Sequence, residues 1–231
     1  MTGSAGELPL TARAAYRLWA PRYHAETAVS ALEHRAVDQA MPALACRALL
    51  DAGCGTGRRL RGARAQLRVG IDLVPDMILA GTRHALPGTA VRVAAGDVCA
   101  LPLRAGFFDV VWCRLVLGHV PHPAPAYAEL GRVADVDDAL LVVTDFHPAA
   151  AAAGHTRSFR DAAGHLHAIE HHVHPAELHV ELARCSGWRL RAQTDLRVGP
   201  DMRKYYEDAG ALDRYDAQLG MPLVLMLVFG R

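Results

Sequence analysis

Apolar residues along the chain follow two rhythms. Short unbroken apolar runs lie at Ala48-Leu49-Leu50-Asp51, Val69-Gly70-Ile71-Asp72, Val91 to Ala95, Phe107 to Cys113 and Ala139 to Phe146. Runs of this length predict strands buried on both faces. Helical spacing lies between and before them. It covers Thr11 to Cys46, broken near Pro21, where Tyr16, Leu18, Trp19 and Tyr23 recur at helical intervals. It covers Arg58 to Leu67, a segment opened by Pro75 and carrying Met77, Ile78 and Leu79, and Pro123 to Val133. Proline is well tolerated in a first helical turn. The alternation predicts an α/β fold with a mostly parallel sheet covered by helices on both faces.

The end of the chain breaks the rhythm. Trp188 to Val198 and Leu223 to Phe229 read as strands, and the polar, partly helical Pro200 to Met221 between them is no ordinary crossover. They predict an antiparallel edge on the parallel sheet. The stretch SFRDAAGHLHAIEHHVH reads as a hairpin turning at Ala162-Ala163-Gly164, inside an insert over 147–175. No repeat or linker divides the chain, so one domain over 1–231 is expected.

Composition narrows the class. The net charge is +1 with His neutral, which gives no electrostatic reason to expect nucleic acid or an anionic membrane as partner. A small-molecule substrate is expected instead. The five cysteines form no C-x-x-C pair, which suits a reducing cytoplasm. The opening MTGSAGELPL has no basic region before an apolar run, so no secretion signal is expected, and the first ten residues are expected to be mobile. The longest apolar run, Pro222 to Phe229, is too short to cross a bilayer.

The central chemical signal is Asp51-Ala52-Gly53-Cys54-Gly55-Thr56-Gly57, between a strand and a helix. Glycines there let the backbone turn tightly and approach a ligand. The following helix offers free N–H groups to an anion. A dinucleotide fingerprint wants a small residue next, for close helix packing, but position 58 is Arg58. That leans away from NAD. Asp72 ends the second strand, where an acid can accept both hydroxyls of a ribose. Gly96-Asp97-Val98 follows the third strand, where a carboxylate and a backbone N–H can meet an adenine; the plainer reading of Asp97 is a turn cap.

The motifs LLDAGCGTGRR, GIDLVPDMI and GDVCALPLRAGFFDVVWCRLVLGHV together resemble those of class I S-adenosylmethionine-dependent methyltransferases. They are most similar to the group holding the ubiquinone/menaquinone and malonyl-carrier-protein methyltransferases, and YRLWAPRYH is similar to that group's opening. The resemblance spans about Tyr16 to Phe146. It implies S-adenosyl-L-methionine as cofactor and a Rossmann-like seven-stranded sheet of order 3-2-1-4-5-7-6, its seventh strand antiparallel. It implies that Asp51, Gly53 and Gly55 hold the methionine end, Asp72 with Leu73 the ribose, and Asp97 with Val98 the adenine. Cys113 would supply backbone contacts to the amino group. Tyr16 and Tyr23 would sit on lid helices, 11–46, over the cofactor; packing in a core is the plainer reading of such aromatics.

Eight of the thirteen histidines lie between His147 and His179. Methyl transfer to a hydroxyl needs a positioned acceptor and a base, and histidine suits that near neutral pH. His147, directly after the fifth strand, is the first candidate and His119 the second. Arg157 and Arg160 are candidates for a substrate carboxylate, since a guanidinium fork matches one. His171 and His172 join them on the substrate side, followed by His174. If the second hairpin strand runs on, His172 and His174 share a face with Glu170, which leaves a two-His-one-carboxylate metal site open beside a solvated hairpin. No metal is assigned. The expected function is methyl transfer to a small molecule, at oxygen; the alternatives are an NAD-dependent oxidoreductase and a non-catalytic relative that binds S-adenosylmethionine.

Overall fold

The computed structural model describes residues 8–41, 46–84 and 91–231. Most of the mobile-start expectation lies outside the described residues. Seven strands form one sheet: β1 Cys46–Ala52, β2 Ala65–Asp72, β3 Arg92–Ala95, β4 Val110–Arg114, β5 Leu140–Phe146, and near the end β8 Arg189–Arg197 and β9 Pro222–Gly230. Their order is β3-β2-β1-β4-β5-β9-β8. A separate hairpin pairs β6 Ser158–Arg160 with β7 Leu166–Ala168. Leaving that hairpin out, the order is the expected 3-2-1-4-5-7-6. β9 runs antiparallel to both β5 and β8, as the terminal pattern predicted.

Strand alternation sorts the core into two layers. Ala48, Leu50, Val111, Cys113, Leu141, Val143 and Leu227 pack on one side, against Tyr127, Leu130 and Val133 of helix α5 Ala124–Val133. Leu49, Val110, Trp112, Val142 and Met226 pack on the other, against Ala31 and Val37 of α2 Ala28–Ala40. α2 starts with a capping box between Thr27 and Ser30. It follows α1 Ala12–Trp19 and a 3-10 turn at Ala20–Arg22, so the expected break near Pro21 is present. Residues 42–45, which join α2 to β1, lie outside those described.

Three boundaries differ from expectation. The helix expected over Arg58 to Leu67 is only α3 Arg58–Gly62. Ala63 turns extended, and Ala65 and Leu67 pair with Cys46 and Ala48, so ladder bonds with β1 override the helical spacing. β4 begins at Val110 rather than Phe107, because the Phe107 and Phe108 amides donate to the Val133 carbonyl below the sheet. His147 also caps an unexpected helix, α6 Pro148–Ala152. The remaining helices are α4 Pro75–Thr82, α7 Ala176–Cys185, α8 Arg203–Asp208 and α9 Leu212–Gln218. Among the described residues no helix is long and apolar enough to cross a membrane.

The hairpin packs on the first helix. Leu10 exchanges backbone bonds with Ala168 and Glu170, Phe159 stacks on Trp19 at 5.2 Å between ring centres, and Ala15 fills the space with Ile169. The insert and the N-terminal helices therefore meet above the carboxyl ends of β1, β4 and β5, where ligands gather in open α/β sheets.

Candidate functional site

Between β1 and α3 the backbone turns at Gly53 and Gly55, with φ of 87° and 56°. A side chain at Gly53 would also strike Val116. Asp72 holds this turn from the neighbouring strand: its Oδ2 accepts from the Gly55 amide at 2.7 Å and its Oδ1 from the Val74 amide at 2.9 Å. One cleft is lined by Gly53, Gly55, Asp72, Leu73, Asp97 and Val98, with Tyr16, Tyr23, Arg114, Leu115 and His119 on its other side. Eight of the ten residues expected to hold a nucleoside cofactor thus line one space.

The other two do not. Asp51 is buried beneath the turn, and burial pushes its carboxyl up to about 7. Cys113 is fully buried in the sheet. The backbone that reaches the cleft after β4 is that of Arg114 and Leu115. Leu115 adopts the left-handed conformation, φ 57°, which is uncommon for a leucine. Its amide is held by both the Thr144 carbonyl, 2.8 Å, and the Thr144 hydroxyl, 3.0 Å. Asp97 is exposed at the rim, and its Oδ1 accepts from the Cys99 amide, so the turn-cap reading of it also holds.

Burial raises the Asp72 carboxyl above its usual range, and among the described residues its hydrogen bonds come only from backbone amides. A half-buried acid with no cationic side chain bonded to it among the described residues suits a ligand bearing hydroxyls or positive charge.

His119 lies at the far wall. Its Nδ1–H donates to the Glu170 carbonyl at 3.2 Å, which leaves Nε2 to accept from the Tyr16 hydroxyl at 3.1 Å. Arg157 in turn donates to the Tyr16 oxygen at 3.3 Å. Burial, and next the Arg157 charge, push His119 down to about 3, so it is neutral at physiological pH. An unfolded histidine takes up its proton near pH 6.5. The folded protein therefore loses stability relative to the unfolded chain as pH falls from about 6.5 toward 3. His119→Gln is expected to make the fall in urea-unfolding stability over that window shallower, by up to about 1.4 kcal/mol per pH unit. An unchanged slope would contradict a neutral buried imidazole.

The other histidines correct the expectations. His147 is not in the cleft: its Nδ1 accepts from the Ala149 amide and its Nε2 meets Asp195 of β8 at 3.1 Å. The chain turns into α6 directly after it, which swings the ring toward the sheet edge. Arg160 is exposed and closes its own hairpin turn through the Gly164 carbonyl. β7 ends at Ala168, so the shared-face argument for His172, His174 and Glu170 fails. His172 is held by backbone to Gly118, and its ring stands 3.8 Å from Glu170, away from the cleft. Among the described residues no three His, Cys, Asp or Glu side chains form a metal-binding group. His171 is half-buried, edge-on to His119, and 3.7 Å from Asp145.

Sequence reading missed Asp145. It is 2% exposed on β5, and His171 and His179 flank its two oxygens at 3.7 and 3.6 Å. Burial alone would raise its carboxyl, but the two imidazoles hold it below the usual range. Also missed was the ion pair of Glu33 with Arg114, which joins α2 to the end of β4. The signal for both was an ionisable residue inside an apolar strand, which needs a partner.

A second cavity, of about 230 Å³, adjoins the cleft and shares Tyr23 and Leu115 with it. Trp19, Phe146, Tyr205 and Leu223 give it apolar walls. Its polar groups include His155, Arg157 and Gln218, together with an Arg58–Glu26 pair.

Residues 50–142 match the family model described as a methyltransferase domain. A malonyl-[acyl-carrier protein] O-methyltransferase of Herminiimonas arsenicoxydans is 39% identical over 110 residues, 46% of this chain and 40% of that protein. A ubiquinone biosynthesis O-methyltransferase of Methylococcus capsulatus is 35% identical over 137 residues, 56% of each chain. The matches thus span about half the length of these curated relatives or less. The crystal structure of an S-adenosylmethionine-dependent methyltransferase from Mesorhizobium loti superposes with a TM-score of 0.67 at 21% identity, covering 88% of this chain and 100% of that one. The half-buried Asp72, the rim carboxylate of Asp97 and the glycine turn of the cleft fit S-adenosylmethionine, the cofactor of such domains. The stretch 50–142 is a methyltransferase domain, and the chain around it has the fold of the S-adenosylmethionine-dependent enzymes.

Proposed function

We propose that this chain transfers the methyl group of S-adenosylmethionine to an oxygen of a small molecule seated in the second cavity. The observation that carries the reading is the common wall: the cofactor cleft and the aromatic cavity meet at Tyr23 and Leu115. The two relatives named above are O-methyltransferases, which supports oxygen as the accepting atom. The lid helices over 11–46 and the insert over 147–175 supply most of the acceptor walls, and a cytoplasmic setting suits the free thiols.

Asp72 would take the ribose hydroxyls, Asp97 and the Val98 amide the adenine, and the Gly53–Gly55 turn with Asp51 behind it the methionine end. S-adenosylmethionine supplies a methyl group on a sulfur that already bears positive charge, so its leaving group needs no activation. The protein has to position the acceptor and, for a hydroxyl, take its proton. Tyr16 and His119 are arranged for the proton. The acceptor proton passes to the Tyr16 oxygen while the Tyr16 proton passes to His119 Nε2, the atom that already accepts it. His119 Nδ1 stays bonded to Glu170 throughout, so the ring does not turn.

Isothermal titration with S-adenosylmethionine and S-adenosylhomocysteine tests the first half, with saturable binding of both expected. Release of S-adenosylhomocysteine across a panel of phenols, alcohols and carboxylic acids tests the second. Saturable NADH binding with no response to either sulfur nucleoside would overturn the proposal in favour of an oxidoreductase. Tight nucleoside binding with no turnover on any acceptor would leave a non-catalytic relative.

A further inference from the structure

Resting on that reading, we infer that the acceptor carries a carboxylate, seated by Arg157 and by His155, with His155 fixed in one tautomer by Gln218 and Tyr206. Among the described residues the cavity wall has one half-buried cation that nothing balances; Arg214, which also lines it without an acidic partner, is exposed to solvent. Arg58 is matched by Glu26 at 3.4 Å and donates to the His24 carbonyl. Glu26 is engaged further by Arg59 at 2.7 Å. Arg157, by contrast, has no acidic partner among the described residues. Its Nη2 donates to the Tyr16 hydroxyl, and its Nη1 is buried without an acceptor. A buried donor left unpaired is costly, and a guanidinium fork is the group best shaped to receive a carboxylate.

A second donor is built from three residues that sequence reading did not single out. Tyr206 donates to Gln218 Oε1 at 2.6 Å. With that oxygen used, the Gln218 amide nitrogen faces His155 and donates to its Nδ1 at 3.0 Å. His155 must therefore carry its proton on Nε2, and among the described residues that N–H has no protein acceptor. Tyr206 and Gln218 are both buried, so the relay is shielded from water. Its only evident product is an oriented N–H on the wall of the same cavity.

Trp19, Phe146, Tyr205 and Leu223 complete the description of the occupant: an apolar or aromatic body with one acidic end. A carboxylate on Arg157 sits one hydrogen bond from Tyr16, and so next to the cofactor cleft. It also offsets the positive charge that, besides burial, holds His119 down, so a bound anion makes His119 the better base.

The test uses the whole chain saturated with S-adenosylhomocysteine and three matched pairs: benzoate, phenylacetate and 4-hydroxybenzoate, each against its carboxamide. Affinity is read by ligand-observed NMR. At least one acid is expected to bind tenfold or more tighter than its amide. Arg157→Gln is expected to remove that preference, and Gln218→Leu to weaken the acid several-fold while leaving the amide unchanged. Arg157→Lys, which keeps the charge and loses the fork, serves if the glutamine variant does not fold, and is expected to retain part of the preference. Equal binding of acid and amide, no binding of any of the three acids, or a preference that survives Arg157→Gln overturns the inference. Failure of S-adenosylhomocysteine to bind at the outset would instead overturn the proposed function.

Discussion

Replacing Asp72 by asparagine is expected to lower the affinity for S-adenosylhomocysteine about 100-fold, which corresponds to about 2.7 kcal/mol. The carboxylate already accepts from the Gly55 and Val74 amides, one on each oxygen. Each oxygen has a second lone pair, and together these are what a ribose diol needs. Hydrogen bonds to a charged acceptor are worth about 1.5–3 kcal/mol each. The asparagine variant keeps one acceptor at most and turns an NH2 toward an amide that itself donates. The loss therefore falls on the ligand and on the glycine turn together. Asp97→Asn is the contrast. Asp97 is exposed and keeps its local bond to the Cys99 amide, so a loss within about tenfold is expected there. Calorimetric titration of both variants, with thermal midpoints to show that each is folded, separates the two positions. If Asp72→Asn binds within threefold of the parent, the ribose is not held by this strand end.

The difference between those two acids also marks what the chain discloses by itself. The glycines, Asp72 and Gly96-Asp97-Val98 are legible as cleft residues because each combines a strand end with a turn, and both are local events. The backbone that meets the cleft at the end of β4 lies one and two residues beyond Cys113, at Arg114 and Leu115, because the chain there twists through a left-handed leucine that Thr144 holds from β5. Nothing in LVLGHV announces that conformation. His147 was placed correctly at the end of β5 but its ring was not. The deciding contact is with Asp195, on a strand that reaches β5 only through β9. Arg157 and Arg160 are three residues apart and looked equivalent. The tight hairpin sends one into the cavity wall and spends the other on its own turn. Local pattern fixed most of the segments, α6 and the early start of β2 excepted; the direction of a long side chain depended on neighbours far away in sequence.

The largest effect on stability is expected at Glu33. Its carboxylate receives Arg114 Nε at 2.7 Å and Nη2 at 2.8 Å, a bidentate pair, with the Thr144 hydroxyl donating at 3.1 Å. Both charged side chains are about 5% exposed or less. Burial alone would raise the Glu33 carboxyl, but Arg114 holds it below the usual range; burial would likewise lower Arg114, and Glu33 keeps it up. Taking two charges out of water costs nearly as much as their attraction returns, so such a pair adds little net stability. Removing one member is different, since it strands the other. Glu33→Ala is expected to destabilise the fold by about 3–5 kcal/mol, a large part of the about 5–15 kcal/mol a domain has. The double variant Glu33→Leu with Arg114→Met is expected to recover most of that loss. Urea unfolding of the parent, the single variant and the double variant reads the cycle. A single variant that costs under 1 kcal/mol would mean that water reaches Arg114 once Glu33 is gone. The double variant carries the functional question. Arg114 lines the cofactor cleft and adjoins Leu115, so the pair ties lid helix α2 to the wall that cleft and cavity share. A stable double variant with weakened S-adenosylhomocysteine binding would show that the ions are kept for the position of the lid rather than for the stability of the fold.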